Sequence, residues 1–250
     1  MPAPLSVRYP GAPVAVRFLE RPNRYLVRVR PMSGGTERLA HLPNPGRMEE
    51  LLIPGSTVGW IVPARGVARR TSFDLVAVRH GRTTVSVDSR FANRIVARLL
   101  AQEGLPEVGR GPWRAEQPWG GSRFDFGRRR ADGTWAALLE VKSSNLRVGR
   151  RALFPDAPTV RGLRHVEHLA AAARQGIRAS VLFVLQRDDV DSFAPNAALD
   201  PEFARGLTGA ARAGVRVLAH TLRVRPGGAE WGRNVPVCLP RSPTGLTKGF

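Results

Sequence analysis

Cysteine is nearly missing. Cys238 stands alone, so no internal disulfide and no cysteine-rich zinc site can form. Lysine is almost as scarce: only Lys142 and Lys248 are lysines, which leaves 37 arginines among 39 basic residues. Acidic residues number 20 against those 39, and the net charge is +19. The bland reading is that arginine enrichment partly follows genome composition, but the imbalance in sign points to a polyanionic partner, nucleic acid first and an anionic membrane surface second. No apolar run approaches the ~18 residues of a membrane span. The opening MPAPLSVRYPGAPVAV lacks the apolar core of a signal peptide. A soluble, cytoplasmic chain is therefore expected, with no membrane partner. Phosphate-binding loops, a G-x-G-x-x-G after a strand and a nucleophile elbow are all absent, which removes the common nucleotide and serine-hydrolase chemistries. With 42% apolar and 24% charged residues over 250 positions, the chain reads as globular, in one large or two small domains.

What is present is concentrated between Ser122 and Ser143, SRFDFGRRRADGTWAALLEVKS. Two strand-like runs flank Asp132-Gly133, the dipeptide that best tolerates the positive φ angles of a two-residue hairpin turn. Pairing outward sets Arg130 against Trp135, Asp125 against Glu140 and Arg123 against Lys142. Side chains alternate along a strand, so Asp125, Glu140 and Lys142 are expected on one face. Phe124, Phe126, Leu139 and Val141 fall on the other, apolar face. Like charges opposed in a sheet are destabilising, with Cβ atoms only ~5 Å apart. A hard divalent cation such as Mg²⁺ or Mn²⁺ turns that conflict into a binding site. It can polarise a phosphodiester and activate water while a lysine steadies the developing charge. The bland alternative is two solvated strand residues after a longer turn. Composition shifts the balance: a chain that writes arginine almost everywhere keeps lysine at 142, and the two are not interchangeable where a compact charge must reach a metal site.

In order, residues 13 to 87 read as short strands. Pro13–Glu20 and Arg24–Arg30 flank a turn at Arg21-Pro22-Asn23, and Thr36–Leu42 follows. One helical turn or two over Met48–Leu52 precede strands Ser56–Val62 and Ser72–Arg79, with room for a sixth strand after His80-Gly81. Five strands with a helix between the third and fourth is the order of an OB-fold, though other small barrels fit. Arg65, Arg69 and Arg70 form a basic loop. A helix runs from Asp88 or Ser89 to Gly104, with Phe91, Ile95, Leu99 and Leu100 on its apolar face. After the hairpin, Thr159 caps a helix over Val160–Gln175, and Asp200-Pro201 opens another that ends at Gly214. Ala179–Gln186 and Val215–Leu222 read as buried strands of a mixed α/β sheet with right-handed crossovers. The expected divisions are 1–83, 84–225 and a covering tail, 226–250.

Glu116, Asp156 and Gln186 are further acidic or polar groups that could join the site. His165 and His168 lie three apart on a helix but lack a third ligand of matching spacing, so a solvated helix face is expected. Asp188, Asp189 and Asp191 read as a solvated acidic loop. Arg47, Arg123, Arg147, Arg150, Arg151 and Arg161, with Asn44 beside them, are candidates for phosphate contact.

Five blocks in order carry a resemblance that runs nearly the whole length: HLPNPGRMEELLIPG (41–55), SRFDF (122–126), LLEVKS (138–143), FPDAPTVRGLRH (154–165) and FAPNAALDPEF (193–203). They resemble the sugar fermentation stimulation protein A family. The resemblance implies an OB-like N-terminal domain, a C-terminal domain similar to PD-(D/E)XK nucleases, and DNA binding without sequence specificity. In that nuclease pattern Asp125 and Glu140 correspond to the metal-binding carboxylates and Lys142 to the lysine, while Phe124 stands in place of the proline. A Mg²⁺-dependent nuclease is the leading expectation. A non-catalytic DNA-binding regulator, linked by family name to sugar use, and an RNA-binding module are its rivals. Nothing in the residues sets the oligomeric state, and a homodimer stays open.

Overall fold

Turn residues punctuate the first part of the chain into strands β1 (Ser6–Arg8), β2 (Val14–Asn23), β3 (Leu26–Pro31), β4 (Arg38–His41), β5 (Val58–Pro63), β6 (Phe73–His80) and β7 (Thr83–Ser86). The structure, a computed structural model, describes residues 5–64, 70–102 and 105–240; Arg65, Arg69, Gly104 and Lys248 lie outside them. Strands pair in the order β4-β3-β2-β5-β6-β7, and a parallel bridge between His41 and Asp74 joins β4 to β6 and closes a five-strand OB barrel. Val16, Phe18, Val27, Val29, Ile61 and Leu75 fill it.

Two details of the barrel differ from expectation. The β2–β3 turn is Arg24-Tyr25, with Asn23 opposite Leu26, and the ladder shifts between Glu20 and Asn23. Pro22 sits in that shift, where its missing N–H leaves no ladder bond unmade. Met48–Leu52, expected as one helical turn or two, is a single turn that does not start in helical geometry. Met48 has φ +52, outside the right-handed helical region, and the N–H groups of Leu51 and Leu52 both donate to its carbonyl. The expected division at residue 84 falls inside β7, which the barrel sheet holds through β6.

Past the barrel come α1 (Arg90–Gln102), β8 (Arg114–Trp119), β9 (Ser122–Arg129), β10 (Trp135–Ser144), β11 (Arg147–Val148) and β12 (Arg151–Phe154). Then follow α2 (Val160–Arg174), β13 (Arg178–Leu185), β14 (Ser192–Pro195), α3 (Pro201–Arg212), β15 (Arg216–Arg225) and β16 (Gly228–Asn234). A seven-stranded mixed sheet, β1-β16-β15-β13-β10-β9-β8, has β10, β13 and β15 parallel at its centre. Parallel strands need crossovers, and α2 and α3 supply them over one face while α1 packs on the other. Within 226–250, expected as a covering tail, Gly228–Asn234 form β16, which pairs with β1 from the far end of the chain. That pairing spans over 200 residues and has no local sign in the sequence.

The second helix pair starts at one shared carboxylate. Asp200 accepts from the Phe203 N–H at 2.9 Å to cap α3, and from the Thr159 N–H at 2.8 Å, while Thr159 caps α2 through the Gly162 N–H at 3.0 Å. Asp200→Ala is therefore expected to lower stability by about 1–2 kcal/mol, the upper range for one cap, read as a shift in urea midpoint without a change in slope.

Candidate active site

The hairpin holds the expected register by an unexpected route. Arg130 N–H donates to Thr134 O at 2.8 Å and Gly133 N–H to Arg130 O at 3.0 Å, with Gly133 at φ +82. This is the three-residue loop whose glycine takes the left-handed position, so Trp135 faces Arg129 rather than Arg130. A bulge at Ala136 then slips the ladder by one, giving Ala137 opposite Arg128 and Leu139 opposite Phe126. The two slips cancel, and the register again points Asp125 at Glu140.

There the strands part. The β9–β10 ladder ends at Phe126 and Leu139, while β9 continues against β8 and β10 against β13. Asp125 fills the gap: its Oδ2 accepts the Val141 N–H at 2.7 Å, replacing a strand partner. Phe124 and Phe126 straddle the parting and enter different cores. Phe126, Leu139 and Val141 pack on the α1 side, but Phe124 packs with α2 and α3, so the expected four-residue apolar face breaks at Phe124.

Asp125 Oδ1 accepts from Asn93 Nδ2 of α1 at 2.6 Å. Burial, then the charge of Glu140, pushes the Asp125 carboxyl up to about 6. Glu140 is buried, and burial pushes it up, but hydrogen bonds from His165 and Lys142 outweigh this and hold it below the usual range. Lys142 Nζ lies 2.6 Å and His165 Nδ1 2.5 Å from Glu140 Oε1. Glu140 Oε2 is buried with no hydrogen-bond partner. Among the described residues no group of three or more His, Cys, Asp or Glu side chains is placed to hold a metal ion, and Asp125 and Glu140 form a pair of carboxylates.

The raised carboxyl has a stability consequence. Its ordinary value is 3.8, so below about pH 4 the group is protonated folded or unfolded and contributes nothing. Between about pH 4 and 6 the unfolded chain ionises first, and the fold loses on the order of 3 kcal/mol. Asp125→Asn keeps an acceptor for Val141, and Asn93 can turn its amide to match. In EDTA it is expected to stabilise the chain by about 3 kcal/mol at pH 7.5 and by nothing at pH 3.5, measured by urea denaturation.

Val141, Lys142 and Asn93 open onto a cleft of about 1030 Å³ between the barrel and the α/β domain. Arg21, Arg24 and Arg47 line it from one side, Arg90 and Arg161 from the other. Of the phosphate-contact candidates, Asn44, Arg47 and Arg161 line the cleft, whereas Arg123, Arg147, Arg150 and Arg151 do not. Arg123 faces Glu116 in an exposed pair at 3.7 Å, which also takes Glu116 out of the site. Arg147 lies 3.6 Å from Asp189, and Arg150 binds Asp191 through two nitrogens. The acidic run 188–191 is therefore a set of counter-ions rather than a solvated loop. Asp156 lines the cleft, pushed up by burial, and its Oδ2 lies 1.9 Å from where a Cβ on Gly46 would stand. Only glycine lets the two loops close there. Gln186 donates to the Asp88 carbonyl and to Ser143 Oγ, both at 2.9 Å, tying the domains together rather than reaching Glu140.

Profiles of two families match in tandem: "SfsA N-terminal OB domain" over residues 19–87 and "Sugar fermentation stimulation protein RE domain" over residues 90–228. The chain belongs to the SfsA family. An SfsA homolog from Symbiobacterium thermophilum is 42% identical over 240 residues, covering 90% of this chain and 94% of its own. One from Chloroflexus aurantiacus is 41% identical, covering 91% and 86%. The structure of Pyrococcus furiosus SfsA in complex with Ca²⁺ superposes with a TM-score of 0.82 at 30% identity, over 93% of this chain and 98% of that one. No helix among the described residues is long and apolar enough to cross a membrane.

Two site residues of this SfsA chain escape sequence reasoning. His165 was expected on a solvated face but is buried, and the signal was there: Gly162, His165, Val166 and Leu169 share the buried stripe of α2. His168, three residues on, meets Ser122 Oγ at 2.7 Å instead. Asn93 carries no such signal, because a polar residue on an amphipathic helix is most simply solvated.

Proposed function

We propose that this SfsA chain is a divalent-metal-dependent phosphodiesterase that holds DNA through its phosphates without reading sequence. The observation that carries it is the pairing of Asp125, raised to about 6 by burial and Glu140, with a buried and unpartnered Glu140 Oε2 beside Lys142. A cation held by these two side chains would relieve both the orphaned buried oxygen and the raised carboxyl. Asp125 and Glu140 would hold it, and oxygen ligands suit Mg²⁺, Mn²⁺ and Ca²⁺ alike. The Ca²⁺ in the Pyrococcus furiosus structure supports a divalent ion here. When bound, such an ion supplies Lewis-acid polarisation of a phosphodiester and a lowered pKa for its water.

The chain's own residues do the rest. Val141 N–H and Asn93 fix the Asp125 carboxylate, and His165 fixes Glu140, as outer partners commonly orient metal-binding groups. Lys142 presents an ammonium to the negative charge that develops on phosphate oxygen. The cleft arginines grip flanking phosphates, which position a duplex but carry no sequence information.

The decisive assay incubates plasmid, single-stranded and branched DNA with Mg²⁺ or Mn²⁺, with Lys142→Ala beside the parent. Cutting that needs both metal and Lys142 is the expected result. If none of the substrates is cut while all are bound, the chain is a non-catalytic DNA binder and the reading is lost. A second readout is independent of turnover: Ca²⁺ should raise the melting temperature of the parent but not that of Asp125→Asn.

A further inference from the structure

Beside the cleft, on the outer face of the barrel, is a second hollow of about 500 Å³, lined by Asn23, Tyr25, Leu39, His41, Arg70 and Thr71. That is the scale of a small-ligand pocket. Tyr25 and Leu39 are 49% and 46% exposed, unusual for side chains of their size. The Tyr25 and His41 rings are near-parallel at 22°, with centroids 6.1 Å apart, an offset stack open to solvent. Neither the mechanism nor the barrel core uses these rings.

Uncompensated arginine borders this face. Arg28 and Arg30 on β3 are neutralised by Glu20 and Glu37, at 3.0 and 2.6 Å. Arg24 and Arg70, which flank the rings, have no carboxylate partner among the described residues, and no acidic residue lines the hollow. The two openings also adjoin at one residue. Asn23 lines both, and across the tight β2–β3 turn Arg24 faces the cleft while Tyr25 faces the hollow.

We infer that Tyr25 and His41 are a stacking platform for unpaired DNA bases, and that one strand runs from it over the Arg24–Tyr25 turn into the cleft at Lys142. This rests on the proposed phosphodiesterase reading and narrows its substrate to DNA with a single-stranded arm. Flat aromatic surface flanked by uncompensated arginine suits bases and phosphates in alternation, since every base has a π-face. A protein partner fits less well, because nothing in the hollow offers it a carboxylate to pair with.

The test measures affinity of the full chain for fluorescent oligo-dT and for a duplex of equal length, in Ca²⁺, for the parent, Tyr25→Ala, Tyr25→Phe and the double variant Tyr25→Ala/His41→Ala. Tyr25 is exposed, so the variants should fold, and unchanged urea midpoints check this. Tyr25→Ala should weaken oligo-dT binding about 5- to 100-fold, the range for one lost base stack. Duplex affinity should move less than ~2-fold, and Tyr25→Phe should behave as the parent. Irradiating 5-iododeoxyuridine in the strand should cross-link it to Tyr25 or His41. Equal losses for strand and duplex, no loss at all, or cross-links confined to other residues would overturn the platform. So would tighter binding of an RNA oligomer than of DNA. The two readings fail separately: Tyr25-dependent strand binding without cutting supports the platform and defeats the phosphodiesterase, whereas cutting with Tyr25-independent binding does the reverse.

Discussion

Replacing Lys142 by alanine is expected to lower metal-dependent cleavage about 10²–10³-fold, the usual loss when one preorganised group facing a developing oxyanion is removed. Duplex affinity should change less than ~3-fold, because phosphate grip is spread over the cleft arginines. The asymmetry follows from where the ammonium sits. It is 2.6 Å from Glu140 Oε1, with its side chain 13% exposed, and it opens onto the cleft between Val141 and Ser143. Alanine also strips Glu140 of one of the two hydrogen bonds that offset its burial, leaving His165 alone against it. A structural collapse would lower binding and melting temperature together, so both are measured beside rate. Lys142→Met keeps the aliphatic stem and should lose as much activity with less change in melting. Lys142→Arg should not rescue, since a planar guanidinium cannot occupy the place of a compact ammonium beside Glu140 and His165. Recovery in the arginine variant would mean that Lys142 supplies only bulk positive charge.

How much of this was legible depended on how local the cause was. Helix caps at Thr159 and Asp200, the buried run Ala179–Gln186 and the β-rich start are written in neighbouring residues, and the structure follows them. The Asp125–Glu140 alignment was reached through a two-residue turn that does not form; a three-residue loop and a bulge at Ala136 restore it. Bulges depend on packing on both faces of a sheet, and Trp135, at the slip, closes to 2.8 Å of where a Gly127 Cβ would stand. Arg147 and Arg150 illustrate a different limit. Their exposure to DNA was inferred from sign alone, yet Asp189 and Asp191, some 40 residues on, meet them when parallel pairing lays β14 beside β12. Arg21, Arg24 and Arg90 gained cleft positions by the same long-range logic. Charge can be counted in a sequence; its compensation is a tertiary property.

Raising salt from 50 to 200 mM is expected to weaken duplex binding about 40-fold, the loss for roughly three neutralised phosphates. The count comes from compensation within the cleft. Arg21 is committed to the carbonyls of Gly46, Arg47, Arg24 and Asn44, and Arg90 to Asp74 and Asp88. Arg24, Arg47 and Arg161 have no ion pair among the described residues, and they stand on both walls around Lys142. Arg47→Ala and Arg24→Ala should therefore each reduce the slope of log affinity against log salt by about 1, whatever the DNA sequence. Arg150→Ala should leave the slope unchanged, because Asp191 already holds that guanidinium through two nitrogens. Fluorescence anisotropy across a salt series separates the cases. A slope that drops in Arg150→Ala and stays fixed in Arg47→Ala would move the interface to the β11–β12 edge, away from Asp125 and Glu140, and bound DNA would then have no route to the carboxylates.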